Sequence, residues 1–148
     1  MSLKVGIVGY GVVGKKRHHS ISKSADFEVT AVSESNSEVH KHIPNGIKVY
    51  DSYKDLITSS SIDLVFVSLP NKFAADAVSL GLENSLHVFC EKPPAKNLSE
   101  LLAVQNISKK KPSLKLMYGF NHRFHLSIEE AKAIIDKNKF GKIINMKG

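Results

Sequence analysis

Apolar runs of strand length alternate with helix-length amphipathic stretches along most of this chain, and that alternation admits few folds. The runs fall at 3–8, 29–33, 47–50, 64–68, 86–90 and 114–118. Several are continuous, as in Leu64-Val65-Phe66-Val67, which predicts strands covered on both faces. Between them, residues 12–23, 52–58, 73–83 and 98–109 repeat apolar positions at intervals of three and four. Ala74, Ala77, Val78 and Leu82 show the period. Strand, helix, strand in that order predicts a parallel sheet with right-handed crossovers. The fold class is α/β, a doubly wound parallel sheet of the Rossmann type.

After Tyr118 the pattern changes. Residues 119–126 carry aromatic and basic groups, and an amphipathic helix follows over 127–137 with Ile128, Ala131, Ile134 and Ile135 as its apolar stripe. Phe140-Gly141-Lys142 predicts a turn, and residues 143–146 open another strand. The domain reading is therefore 1–119 for the doubly wound unit. Residues 120–148 are a crossover helix and the first strand of a second α/β domain. The expectation is the first part of a longer protein.

Composition narrows the function classes. Hydrophobic residues are 42% and charged residues 24% of the 148, as in an ordinary globular domain. The lone Cys90 forbids an internal disulfide and suits a reducing compartment, so a cytoplasmic location is expected. No apolar run approaches the roughly 20 residues that span a bilayer, and MSLKVGIVGYG lacks the layout of a secretory leader. The net charge of +7 raises nucleic acid as a partner. Its lysines and arginines are scattered, however, with Lys15-Lys16-Arg17 and Lys109-Lys110-Lys111 as the compact groups. No aromatic-interleaved basic stripe accompanies them, and neither nucleic acid nor membrane is expected as a partner. His40/His42 and His122/His125 have metal-compatible spacing but no cysteine or acidic cluster beside them, so no metal is expected. His18 and His19 flank the phosphate-binding turn or face solvent, and Cys90 reads as a small core residue.

The chemistry is concentrated in Gly9-Tyr10-Gly11-Val12-Val13-Gly14, between the first strand and the first helix. In such a turn the glycines permit a sharp bend, close approach of backbone to a pyrophosphate, and tight packing of helix on strand. The helix N-terminus then offers free N–H groups to the phosphates. Lys15, Lys16 and Arg17 either attend that anion or form a solvated basic face. Glu34 follows Gly14 by twenty positions at the end of the second strand, where a carboxylate accepts from the adenosine ribose hydroxyls. It would repel a 2′-phosphate, and Ser35-Asn36-Ser37 contains no arginine, so the cofactor reading is NAD over NADP.

Taken in order, Gly9–Gly14, Glu34, Pro70-Asn71 and Glu91-Lys92-Pro93 resemble the Gfo/Idh/MocA oxidoreductases, the relatives of glucose–fructose oxidoreductase and inositol dehydrogenase. Gly119-Phe120-Asn121-His122-Arg123-Phe124 and Phe140-Gly141-Lys142-Ile143 resemble the same family's crossover segment. The resemblance implies a nicotinamide-dependent enzyme transferring hydride to or from a sugar, sugar nucleotide or cyclic polyol. It also implies a second domain that covers the substrate, supplies an Asp/His pair and forms a homo-oligomer; the 148-residue chain alone is expected to be inactive. A module that binds NAD without turnover is the alternative.

By the same resemblance, Lys92 contacts the reacting hydroxyl as the catalytic group and lies beside the cofactor. Glu91 orients or anchors it and is counted with it among the cofactor-binding residues. The Lys92–Pro93 bond is expected to be cis, and Pro70-Asn71 would lie beside the nicotinamide ribose. Arg123 and Asn121 are the substrate-side candidates, with bracing of the crossover as the other reading. Two departures stand out. The stretch Phe73-Ala74-Ala75 replaces the family's frequent histidine, which argues against a contact from the start of that helix, and Ser85 stands where a glycine commonly precedes the fifth strand.

Overall fold

The computed structural model describes residues 2–59, 61–145 and 147. Its strands are β1 (Leu3–Val8), β2 (Phe27–Ser33), β3 (Lys48–Tyr50), β4 (Leu64–Val67), β5 (His87–Cys90) and β6 (Leu116–Tyr118). Its helices are α1 (Val12–Ile21), α2 (Ser37–His40), α3 (Tyr53–Ser59), α4 (Asn71–Glu83), α5 (Leu98–Lys109) and α6 (Leu126–Asp136), with a 3-10 turn at Asn121–Phe124. All strand pairs are parallel, in the order β3-β2-β1-β4-β5-β6. The strand order reverses between β1 and β4, which opens a crevice at their carboxyl ends.

Strand alternation sends side chains into two separate cores. Val5, Ile7 and Val32 pack with Tyr10 and Ile21 on the α1 side. Val8, Val65, Val67 and Val88 pack with Leu56, Val78, Leu82 and Val104 on the side of α3, α4 and α5. The β-branched residues that made the runs continuous are thus buried by helices on both faces. Register brings the strand ends level: Val8 lies opposite Ser33 and Val67, Tyr50 opposite Ser33, and Cys90 opposite Val67 and Tyr118. Every loop that leaves the carboxyl edge therefore starts from one row.

Two short elements escape the sequence pattern. α2 is a single turn, capped where the Asn36 side chain accepts from the Glu38 N–H at 3.0 Å. The 3-10 turn is equally brief. α6 forms where an amphipathic helix was expected, but its apolar stripe is exposed along its length. The strand expected at 143–146 is corrected in part: residues 143–145 form no strand, and Met146, like Gly148, lies outside the described residues. A strand needs a neighbour for its backbone hydrogen bonds, and no strand of the described chain pairs with these residues. Among the described residues, no helix is long and apolar enough to cross a membrane.

Candidate functional site

The turn after β1 is built by close contact. Gly9 has φ +85°, in the region that favours glycine, and its N–H donates to the Ser33 carbonyl at 2.9 Å. A Cβ on Gly14 would lie 2.1 Å from the Gly9 carbonyl oxygen, so only glycine lets α1 start this close to the strand. The first helical bond runs from the Lys15 N–H to the Gly11 carbonyl at 3.0 Å. The N–H groups of residues 12–14 consequently have no partner within the helix. No side chain caps them at Gly11, and the first turn carries no acidic residue. A Cβ at Gly11 would touch nothing within 4 Å, so the approach to these donors is open. Such a terminus is suited to an anion.

A cleft of about 520 Å³ runs from this turn across the carboxyl ends of β2, β3 and β4. Of the residues expected at a cofactor, Gly9, Gly11, Glu34 and Pro70 line it. The Glu34 carboxylate is fixed on both oxygens: Oε2 accepts from the Tyr10 N–H and Oε1 from the Asn36 N–H, each at 3.1 Å. Its backbone is held as well, by the Tyr50 carbonyl at 3.0 Å and by the His40 ring, whose Nε2 lies 2.6 Å from the Glu34 carbonyl oxygen. An ionised carboxylate has about four acceptor positions. A third is met by the Ser35 hydroxyl, 3.5 Å from Oε1, which leaves limited acceptor capacity on a carboxylate that lines the cleft. The hydroxyl of Ser68, also on the cleft wall, is buried and has no hydrogen-bond partner among the described residues. Open N–H donors, a spare acceptor and an orphaned hydroxyl together fit a dinucleotide's phosphates and ribose.

Sequence reasoning missed the opposite wall. Asp51, Ser52 and Tyr53 follow β3, and Phe73 lies in the first turn of α4. The rings of Tyr53 and Phe73 pack with centroids 6.1 Å apart. Phe73 thus lines the cleft from the start of that helix, where its replacement of a histidine had argued against a contact. The signal that could have found this wall is simple: each residue stands just past the carboxyl end of a strand. The Tyr53 hydroxyl donates to Asp76 at 2.6 Å, and burial together with that carboxylate pushes it up to about 12.

The other candidates lie outside the cleft lining. Tyr10 is buried, and its hydroxyl pairs with His18 Nδ1. Burial raises the tyrosine and lowers the histidine, which favours the neutral form of both groups. Val12 and Val13 are exposed at the start of α1, and Asn71 opens α4. Glu91 and Lys92 follow β5, and the Lys92–Pro93 bond is cis. The expectation that Glu91 anchors Lys92 is not met. Its carboxylate is 2.5 Å from Nε of Arg17, on α1. Among the described residues Lys92 has no ion-pair partner, which leaves its exposed ammonium free. Arg17 also reaches the Asn121 side-chain oxygen at 3.4 Å. Lys15 and Lys16 are exposed on α1, and Arg123 is exposed on the 3-10 turn.

Cys90 is buried, donates to the Glu91 carbonyl at 3.3 Å, and is pushed up to about 12 by burial and by the neighbouring Glu91 charge. Among the described residues, no group of three or more His, Cys, Asp or Glu is placed to hold a metal ion.

Comparison with known proteins agrees with this geometry. Residues 3–120 match the family model described as an oxidoreductase family with an NAD-binding Rossmann fold. The whole chain aligns at 28% identity with an inositol 2-dehydrogenase of Salmonella paratyphi B, spanning 46% of that protein. A D-xylose 1-dehydrogenase (NADP(+)) 2 of Haloferax volcanii is 27% identical over 95% of the chain and 44% of its own length. Among solved structures, scyllo-inositol dehydrogenase from Lactobacillus casei with bound NAD(H) and scyllo-inositol superposes with a TM-score of 0.89 at 28% identity. That match covers 97% of this chain and 43% of the other. The chain thus spans less than half the length of these relatives.

Proposed function

The chain belongs to the Gfo/Idh/MocA oxidoreductase family, and from that premise we propose that it is the cofactor-binding portion of an NAD-dependent dehydrogenase or reductase acting on a sugar, sugar nucleotide or cyclic polyol. Residues 1–119 hold the dinucleotide, and residues 120–148 lead into a second domain. The observation that carries the cofactor choice is Glu34. Both its oxygens are pinned by backbone N–H groups at the cleft, the Ser35 hydroxyl adds a longer contact, and acceptor capacity is left for a ribose hydroxyl. A 2′-phosphate in the same position would meet that carboxylate at short range.

When bound, the nicotinamide ring donates or accepts the hydride. This chain's residues then have the task of binding and charge stabilisation. The open N-terminus of α1 holds the phosphates. Oxidation of a carbinol carbon requires the hydroxyl proton to leave, and an ammonium beside the developing alkoxide stabilises it. Lys92 is our candidate for that group, because its amine is not engaged by Glu91. Asn121 and Arg123 are proposed to bind substrate hydroxyls, and oligomerisation is assigned to the longer protein.

Parallel calorimetric titration with NADH and NADPH tests the reading. NADH is expected to bind at least about tenfold tighter, and Glu34→Ala to remove about 1.5–3 kcal/mol of it, as for hydrogen bonds to a charged group. Equal or tighter binding of NADPH would overturn the NAD assignment. Failure of both to bind would overturn the claim that these residues hold a dinucleotide unaided.

A further inference from the structure

Arg17 was grouped by sequence with the basic residues around the glycine turn, yet its guanidinium points elsewhere. Its Nε donates to Glu91 Oε1 at 2.5 Å, its Nη2 to Asn121 Oδ1 at 3.4 Å, and its plane lies over the Phe89 ring, 5.1 Å from the centroid. The side chains of the pair are only 23% and 14% exposed, so this is a half-buried contact and not a solvated one. Phe89 in turn stacks on Phe66 of β4 at 4.9 Å, which gives the guanidinium a fixed floor. Gly119 completes the enclosure: a Cβ there would lie 3.0 Å from Glu91 Oε2 and 3.1 Å from the tip of Phe89. One side chain of the dinucleotide helix therefore grips the segment after β5, next to Lys92, and the segment after β6, which carries Asn121 and Arg123.

We propose that Arg17 is a positioning residue that ties the glycine-turn helix to Glu91 and Asn121, so that the cofactor side and the substrate side of the site hold one geometry. The chemistry favours arginine for this task. A planar fork donates in two directions while stacking on a ring, which an ammonium cannot do. The inference rests on the reading of Lys92 and Asn121 as substrate-side groups, but the linkage itself is measurable without substrate.

The test compares the 148-residue chain with Arg17→Ala, Arg17→Lys and the charge-balanced pair Arg17→Ala/Glu91→Gln, which leaves no unpaired buried carboxylate. Amide exchange is read first, without ligand. The Arg123 and His125 N–H groups, bonded to the Phe120 and His122 carbonyls, should exchange at least about fivefold faster in both alanine variants, the lower end of typical coupling between sites. Amides in β1 and β4 should be unchanged, and Arg17→Lys should restore only part of the protection. Lys92 acylation by a neutral reagent is read second, with and without saturating NADH. Shielding of Lys92 by NADH in the parent chain and its loss in the alanine variants support the proposal. Unchanged exchange at Arg123 and His125, or equal acceleration throughout the sheet, would overturn it. Absence of shielding in the parent chain would instead strike the Lys92 assignment, leaving the exchange data to decide on Arg17.

Discussion

Alanine at Gly14 would set a Cβ 2.1 Å from the Gly9 carbonyl oxygen, 3.1 Å from its carbon and 3.4 Å from Ile7. The two nearest atoms are backbone of the turn, so relief requires α1 to move away from β1. Overpacking of this kind costs about 1–3 kcal/mol, and contact with rigid backbone belongs at or beyond the upper end. Alanine's helix propensity offsets about 1 kcal/mol of that. A net loss of about 2 kcal/mol is expected, a fall in Tm of about 6 °C for a chain of this size. At Gly11 the same substitution meets nothing within 4 Å, and stability should fall by no more than about 1 kcal/mol, the cost of alanine at an N-cap. There the methyl group would stand before the open N–H groups, and NADH affinity should fall about tenfold, or ~1.4 kcal/mol. Urea unfolding followed by circular dichroism reads the first effect, with the slope checked for constancy. Calorimetric titration reads the second. A Gly14→Ala chain with the parent midpoint, or a Gly11→Ala chain with the parent affinity, would refute the reasoning about that glycine.

Three further outcomes follow from the packing. Alkylation of Cys90 at pH 8 should be about a thousandfold slower in the folded chain than in urea, because the thiol is buried and pushed up to about 12; labelling at a rate typical of an open thiol would show the β5 end to be exposed. Cys90 and Tyr118 both lie at about 12 in the fold, above their ordinary values of 9.0 and 10.0. The unfolded chain therefore sheds these protons first, and the stability tied to them is whole below pH 9 and lost progressively from 9 to 12, which a urea midpoint measured against pH will register. The amides of α6 should exchange faster than those of β1 and β4, since this helix buries none of its apolar stripe; protection equal to the sheet's in a monomer would contradict the exposed placement.

Much of the fold was legible because its burial is periodic. The runs that became β1, β2 and β4 are rich in β-branched residues, and α4 repeats Ala74, Ala77, Val78 and Leu82 toward the core. The glycine turn and Glu34 were legible because spacing along the chain is also proximity across β1 and β2. What pattern could not reveal depends on distance in sequence. Arg17 meets Glu91 across 74 residues and Asn121 across 104, and nothing local to any of the three announces the contact. Tyr53 and Phe73 looked like ordinary first-turn residues of two helices until the sheet brought their ends together. The one-turn α2 falls below the length at which a helical period can be read, and the expected strand at 143–146 lacked any neighbour to pair with in residues 143–145.

The two outer strands of the sheet, β3 and β6, are each only three residues long. At about 3.3 Å per residue, either border offers another chain a template of roughly 10 Å, too short to nucleate a ladder. Lys48 lies over Tyr50 on one border, and Pro112 interrupts the approach to the other. Concentrating this polypeptide should therefore not drive it into cross-β fibrils by way of the sheet. Stickiness in concentrated solution should come instead from exposed apolar side chains such as the stripe of α6 and Phe140 beyond it, and should be reversible on dilution and silent to amyloid dyes.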